Sequence, residues 1–309
     1  MYNSESKIKI DNVVRYILLV IAFLCASTII FVIAFILVKG ISPFLLKYPT
    51  SDGYLKANLM TFLTSTSWIK LNAAYGALGA LINTIYVTFL ATIIALPISV
   101  LTALFIVRIA PKAVSVFVNN VVELLAAIPS IIFGLFGSGI INPIVKNIAN
   151  FFNVQTFGGT SVLSTVLVLT IMMIPTITML SVTSMKAVKD SQIQASLALG
   201  ASYTQTNFKV VLNGAKSGIF AALILGVGRA LGEATAVSMV CGNATKGPNF
   251  GLFDITRTLT STMMLEMHES SGIDYDIRFS AGILLIIVII ITNVILNTIK
   301  KRMEKYSNA

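Results

Sequence analysis

Six long apolar stretches dominate the chain and leave little room for anything except a bundle of membrane helices. Each reaches or approaches the roughly 20 residues that an α-helix needs to cross a hydrocarbon layer. Only 11% of the 309 residues are charged, whereas soluble domains carry about 25%. The sequence therefore predicts an all-α integral membrane protein with six transmembrane helices, at about 14–38, 79–107, 116–140, 161–184, 217–241 and 279–299.

Lysine and arginine are distributed unevenly between the loops that connect these stretches. More than half of the 22 basic residues fall in segments that lie inside if the N-terminus is inside. Because cytoplasmic loops carry the excess of Lys and Arg, we expect both termini to be cytoplasmic. The net charge of +10 then reflects membrane topology, and we expect no nucleic-acid partner.

The chain divides into three parts around this pattern. Residues 1–75 hold an N-terminal tail, the first helix and an outside loop; residues 76–299 hold a five-helix core with a cytoplasmic loop at 185–216; residues 300–309 form a cytoplasmic tail. The first helix is too long for a signal peptide and has no cleavage pattern, so we expect it to be retained. The two cysteines, Cys25 and Cys241, give no metal-ligand spacing. We expect neither a metal nor a cofactor.

Two charged residues, Arg229 and Glu233, lie within the fifth apolar stretch. If that helix begins near Ser217, Arg229 lies about 18 Å along it at about 1.5 Å per residue, close to the membrane midplane. The i, i+4 spacing predicts that Glu233 shares a helix face with Arg229. Gly228 and Gly232 form a G-x-x-x-G step, which allows another backbone to approach closely. The pair is either a structural ion pair at a helix contact or the charged lining of an aqueous path.

The third stretch carries two further features. Glu123 is a third candidate for the lining of such a path, at a depth that the sequence leaves open. Pro129 follows in the segment AIPSIIFGLFG at 127–137, where the missing backbone donor predicts a kink at a helix-packing position. Non-helical backbone at membrane depth is tolerated only against protein or a water-filled cavity.

The cytoplasmic segment between the fourth and fifth stretches predicts a short surface helix over residues 186–199. Val188, Ile193, Leu197 and Leu199 are expected partly on one face, and Gly200 is expected to end the helix.

The segment QASLALGASYTQTNFKVVLN at 194–213 resembles the coupling loop of ATP-binding-cassette (ABC) importer permeases. Their pattern is Glu-Ala-Ala, three residues, Gly, nine residues, then Ile-x-Leu-Pro. The resemblance implies that this loop docks on an ATP-binding subunit, with Gly200 at a sharp turn. Gln194 and Asn213 depart from the glutamate and the proline of the pattern. The coupling residues that it implies are Gln194, Ala195, Ser196, Gly200 and Leu212.

Three other segments resemble the phosphate-specific importer permeases: ELLAAIPSIIFGLFG at 123–137, GRALGEATAVSMVCGN at 228–243 and RTLTSTMMLEM at 257–267. The continuation after Glu233 is similar to that of the C-type subunit. This resemblance implies the type I importer permease fold. It also implies import of phosphate by alternating access in a bacterial or archaeal cytoplasmic membrane. The partners that it implies are an A-type permease subunit, two copies of an ATPase and an extracytoplasmic phosphate-binding protein.

Other functions remain open from the residues alone. Arg229 does not distinguish phosphate from sulfate or molybdate. A membrane-embedded enzyme is a further alternative, but the sequence has neither an H-E-x-x-H pair nor a G-x-S-x-G elbow. It has no G-x-x-x-x-G-K-[ST] loop for ATP either, so we expect a transport subunit rather than an enzyme. A secondary transporter is disfavoured because no inverted repeat is visible.

The outside loop at 242–278 carries Lys246, Arg257 and Arg278. Its position suits contact with a binding protein, and residues 252–267 could form an amphipathic helix on the outer surface.

Overall fold

The computed structural model describes residues 4–50, 53–70 and 74–307. Within them, six helical segments are long and apolar enough to cross a membrane: Asp11–Leu45, Leu78–Ile109, Ser130–Phe151, Val162–Lys186, Tyr203–Gly232 and Ile273–Met303. The prediction of six membrane helices is confirmed. The predicted bounds of the third and fifth helices are wrong, since these segments lie at 130–151 and 203–232 rather than at 116–140 and 217–241.

The described part of the chain is mostly helical, with a two-stranded antiparallel sheet between its first two helices. Three helices begin or end in a short π-helical turn, at 105–109, 137–141 and 207–211. The elements in chain order are α1 (Ser4–Leu45), β1 (Tyr48–Thr50), β2 (Gly53–Leu55), α2 (Leu59–Thr64), α3 (Leu78–Leu104), α4 (Lys112–Ala127), α5 (Ser130–Phe136), α6 (Asn142–Phe151), α7 (Val162–Lys186), α8 (Asp190–Ala198), α9 (Tyr203–Thr206), α10 (Leu212–Gly232), α11 (Thr235–Val240), α12 (Leu259–Met264) and α13 (Ile273–Ser307).

Helix α7 forms the centre of the bundle because it packs against both α3 and α10. Small residues permit the close approach: Ala91 and Ala95 of α3 are fully buried, and a side chain at Gly226 of α10 would overlap Ile177 of α7. The Thr178 hydroxyl donates a hydrogen bond to the carbonyl of Ser99 at 3.4 Å. Small residues and hydroxyl hydrogen bonds are the usual means of helix association in membranes.

Helix α1 lies at the periphery and is exposed along nearly its whole length. It meets α13 near its C-terminal end, where Gly40 lies so close to Phe279 that a side chain would overlap it. The Ser280 hydroxyl donates to the Gly40 carbonyl at 2.6 Å, and Lys39 pairs with Asp276 at 3.2 Å. The uncharged apolar surface of α1 therefore faces outward, as expected for a helix that contacts lipid.

The predicted kink at Pro129 is a break between two helices. Helix α4 ends at Ala127, Ile128 has extended backbone angles, and α5 begins at Ser130. A proline disfavours the α conformation of the residue before it, which explains why Ile128 leaves the helix. Pro129 itself is exposed.

The two ends of α3 mark opposite faces of the bundle. Near its first turn, Asn83 accepts a hydrogen bond from the backbone of Asn249 at 2.9 Å. Just beyond its last residue, Arg108 donates to the side chain of Asn207 at 3.2 Å. The segment 242–278 and the loop that carries α8 therefore lie on opposite sides, about 40 Å apart for a helix of this length.

Two adjacent glycines before α7 give a test of this packing. Both have positive φ, +66° at Gly158 and +89° at Gly159, but a β-carbon at Gly158 would meet open space whereas one at Gly159 would overlap the Asn142 carbonyl. Both alanine variants carry the left-handed backbone penalty of about 1–2 kcal/mol. We expect Gly159→Ala to lower the thermal unfolding midpoint in detergent by several degrees more than Gly158→Ala does. Equal midpoints would show that α6 shifts to accommodate the added methyl group without loss of stability.

Candidate functional site

Arg229 lies in the last turn of α10 and reaches the middle of the bundle. Its Nη1 donates to the Thr176 hydroxyl at 3.0 Å. Thr176 lies about 21 Å from the start of α7 and about 15 Å from its end, at about 1.5 Å per residue. Arg229 is half-buried, and its other N–H groups have no partner among the described residues. Arg229 thus holds a permanently charged guanidinium, with several N–H donors free to bind a ligand, near the mid-depth of the protein.

Glu233 lies just beyond the helix that carries Arg229, so the prediction that one continuous helix holds both residues is wrong. Helix α10 ends at Gly232, and Glu233 has extended angles of φ −73° and ψ 116°. Its carboxylate accepts the backbone N–H of Ala236 at 3.0 Å, and its carbonyl accepts the Thr260 hydroxyl at 2.7 Å. In the described part of the chain no ion pair joins Glu233 to Arg229. Glu233 instead fixes the start of the short helix α11.

Gly228 and Gly232 flank Arg229 on an open side of the protein. A β-carbon at either glycine would have no other atom within 4 Å. Among the residues that the structure describes, the predicted close approach of another backbone therefore does not occur. The arginine and the two glycines together form a face of α10 that this chain leaves uncovered.

Glu123 lies on α4, where it is exposed. It accepts a hydrogen bond from Asn119 of the same helix at 2.6 Å. The structure does not bring it into hydrogen-bonding contact with Arg229 or Glu233.

The loop between α7 and α10 is built around a sharp turn at Gly200, where φ is +85° and no neighbouring atom lies within 4 Å of an added β-carbon. The predicted end of the helix is therefore confirmed. Its predicted start at residue 186 is wrong, since Lys186 ends α7 and α8 spans Asp190–Ala198. The Ser196 and Thr206 hydroxyls bond each other at 2.9 Å across the turn. Ile193 is buried, but Leu199, expected on the same face, is 89% exposed because the helix ends before it.

A surface groove of about 580 Å³ runs beside this turn. It brings together two of the five predicted coupling residues, Ala195 and Ser196, with their neighbour Leu199. Val210 and Asn213 line the opposite wall. Gln194 is exposed nearby, and Leu212 begins α10.

At the other end of the bundle, the segment 242–278 is far more buried than a surface loop. The predicted amphipathic helix over 252–267 is wrong: only residues 259–264 are helical in α12, and Leu259 and Ser261 are completely buried. Arg278 is 2% exposed. Its Nη1 donates to the carbonyls of Thr262, at 2.9 Å, and Leu265, and its Nη2 donates to the Ser270 hydroxyl at 2.9 Å. Reasoning from the sequence missed this burial, because a basic residue in a polar segment usually lies in water.

Arg257 is the other buried cation of this segment, at 6% exposure. Its guanidinium carbon lies 5.7 Å from the ring centre of Trp68. Burial lowers the pKa of Arg257 from its ordinary value. A cavity of about 620 Å³ opens beside it.

Comparison with known proteins identifies the chain's relatives. Residues 95–305 match the family described as the binding-protein-dependent transport system inner membrane component. The phosphate transport system permease protein PstC of Pasteurella multocida is 29% identical, with 79% of this chain and 81% of that protein covered. PstC 2 of Mycobacterium bovis is 32% identical, with 77% and 79% covered.

The fold is also found in a solved structure. A chain of a bacterial alginate ABC transporter, crystallised with its periplasmic protein, superposes with a TM-score of 0.66 over 96% of this chain and 97% of that one, at 15% identity. The architecture is that of type I ABC importer permeases. Permeases of such importers work with a binding protein and with separate ATP-binding subunits, which hydrolyse ATP. The family match covers more than half of the chain, so this protein belongs to the family of inner membrane components of binding-protein-dependent transport systems and is a multi-pass permease subunit of the cytoplasmic membrane.

Proposed function

We propose that this permease carries inorganic phosphate into the cell by alternating access. The observation that carries the proposal is the guanidinium of Arg229, which lies at mid-depth with a single hydrogen bond and an open side. Phosphate crosses a low-dielectric layer as an anion, and a guanidinium binds its oxygens through a planar, permanently charged fork. The names of the relatives PstC and PstC 2 support phosphate as the anion.

Arg229 is the central residue of the proposed path, and Glu233 has a different role from the one expected. Glu233 bonds the backbone of Ala236, and no ion pair joins it to Arg229 among the described residues. The charge of Arg229 is therefore free to attract an anion. Glu123, exposed on α4, is a weaker candidate for the lining of the same path.

We further propose that the open face around Gly228, Arg229 and Gly232 is covered by a second, A-type permease subunit. The two glycines leave room for a helix backbone, so the path would form between the two subunits. The groove beside Gly200 would receive one of two ATP-binding subunits. This places α8 and both termini in the cytoplasm, and the segment 242–278 on the side of a phosphate-binding protein.

Substrate identity is tested by uptake of radiolabelled phosphate in cells that have no other phosphate importer. We expect saturable uptake that a hundredfold excess of sulfate or molybdate leaves unchanged, because the binding protein delivers only its own anion. Vesicles that lack ATP serve as the control for passive entry. Strong inhibition by sulfate or molybdate would instead assign the importer to that oxyanion, which Arg229 could bind equally well.

A further inference from the structure

Arg257 is buried without the partners that a buried guanidinium normally has. Its Nε is fully enclosed with no hydrogen-bond acceptor, and the guanidinium forms no hydrogen bond or ion pair with any described residue. The guanidinium instead contacts the ring face of Trp68. The ring attracts a cation but offers no conventional hydrogen-bond acceptor for the five N–H groups of the arginine. A buried guanidinium that is not hydrogen-bonded to a counter-charge is costly, so such a residue points to a ligand that is missing from the single chain.

The cavity beside Arg257 has the size and the composition for a small anion. Its volume of about 620 Å³ is many times the roughly 30 Å³ that a water molecule occupies in the liquid. The residues that line it include Trp68, Ile69, Lys70, Thr245, Arg257 and Glu266. The exposed Thr245 hydroxyl offers a further donor.

The charge balance of the cavity favours an anion. Its one carboxylate, Glu266, is already held by Lys70 and lies 3.8 Å from the buried Arg278. These cations hold the pKa of Glu266 below its ordinary value. Glu266 also interacts electrostatically with Arg257. This one carboxylate faces Lys70, Arg257 and Arg278, so positive charge remains in excess around the cavity.

We propose that this cavity is an outer binding site for a tetrahedral oxyanion, with Arg257 as the residue that binds it. The identity of the anion as inorganic phosphate rests on the proposed function. The site lies at the end of α3 opposite to α8, where an extracytoplasmic binding protein would release its anion. It is therefore distinct from the central position of Arg229, and an anion would occupy it before reaching the middle of the membrane.

Trp68 provides the measurement, since it is the only tryptophan of the chain and adjoins Arg257. The assembled transporter, with its other permease and ATP-binding subunits, is placed in lipid nanodiscs. Its tryptophan emission is followed while inorganic phosphate replaces chloride at constant ionic strength. We expect a saturable change, absent in Trp68→Phe, whose half-saturation rises at least tenfold in Arg257→Gln. The exposed Lys56 is outside the cavity, so Lys56→Gln removes one charge as a matched control and leaves the half-saturation unchanged.

A second pair of variants keeps Arg257 in place, in case its replacement prevents assembly. Ile69 is partly exposed at the cavity, so Ile69→Asp adds a negative charge there, and Ile69→Asn is its isosteric neutral control. We expect Ile69→Asp to weaken phosphate binding at least tenfold relative to Ile69→Asn.

The outcomes separate the site from the proposed function. The site would be overturned by equal half-saturation in Arg257→Gln and wild type, by equal binding in the two Ile69 variants, or by the same response to chloride as to phosphate. Normal phosphate uptake would in each case leave the proposed function intact. A saturable, Arg257-dependent response to sulfate but not to phosphate would support the oxyanion site and contradict phosphate as the substrate.

Discussion

Replacing Arg229 with glutamine is expected to reduce phosphate uptake by at least about tenfold at unchanged membrane levels. Glutamine can still bond Thr176, but it lacks the charge that binds the anion. A hydrogen bond to a charged group contributes about 1.5–3 kcal/mol, and each 1.4 kcal/mol is a factor of about ten. The measurement is radiolabelled uptake in cells whose only copy carries the variant, with protein levels checked by blotting and ATPase assembly checked by copurification.

A matched variant separates the charge of Arg229 from its position. Thr176→Val removes the one hydrogen bond that orients the guanidinium and keeps the charge. We expect it to retain more uptake than Arg229→Gln. If Arg229→Gln imports phosphate normally, Arg229 is a structural residue, and the phosphate assignment then rests on the relatives alone.

Replacing Leu199 with aspartate is expected to abolish uptake by separating the permease from its ATP-binding subunit. Leu199 is a large apolar side chain, 89% exposed at the turn after α8 and adjacent to the groove. Truncation of an interface hot spot costs 2 kcal/mol or more, and a charge in an apolar contact adds its desolvation. We expect at least about a thirtyfold loss of affinity, measured by the amount of ATPase that copurifies with the tagged permease.

The control for Leu199 is its replacement by methionine, which preserves the apolar volume. Leu199→Met should copurify the ATPase as the wild type does and should import normally. If Leu199→Asp also retains the ATPase, Leu199 is not part of the contact and the subunit docks elsewhere. The resemblance of residues 194–213 to a coupling loop would then not identify the docking surface.

The number of membrane helices was predictable from hydropathy, because burying about 20 apolar residues in lipid dominates every local preference. The two breaks were harder to predict. Ile128 and Pro129 are both extended at the first break, and Glu233 is extended at the second. A hydropathy average over about 20 residues does not detect breaks this short. The predicted pairing of Arg229 with Glu233 failed for this reason, since the i, i+4 relation holds only inside one continuous helix.

The positions that depend on a backbone turn were predicted better than those that depend on tertiary burial. Gly200 was placed correctly, because a positive φ after a helix favours glycine. Arg257 and Arg278 were expected in an outer loop. Arg257 lies there, whereas Arg278 lies near the start of α13, and the burial of both was missed. Their surroundings are assembled from Trp68, the segment 258–270 and the start of α13, which are far apart in sequence and rich in polar residues.

The hydrogen bond between Thr260 and the Glu233 carbonyl has a mechanical consequence. It ties the buried helix α12 to the residue that directly follows α10, one turn beyond Arg229. Because the Glu233 carboxylate also holds the first turn of α11, three helix ends meet at one residue. We therefore expect a shift of α12 to displace the end of α10 as well, because both are attached to the same peptide unit.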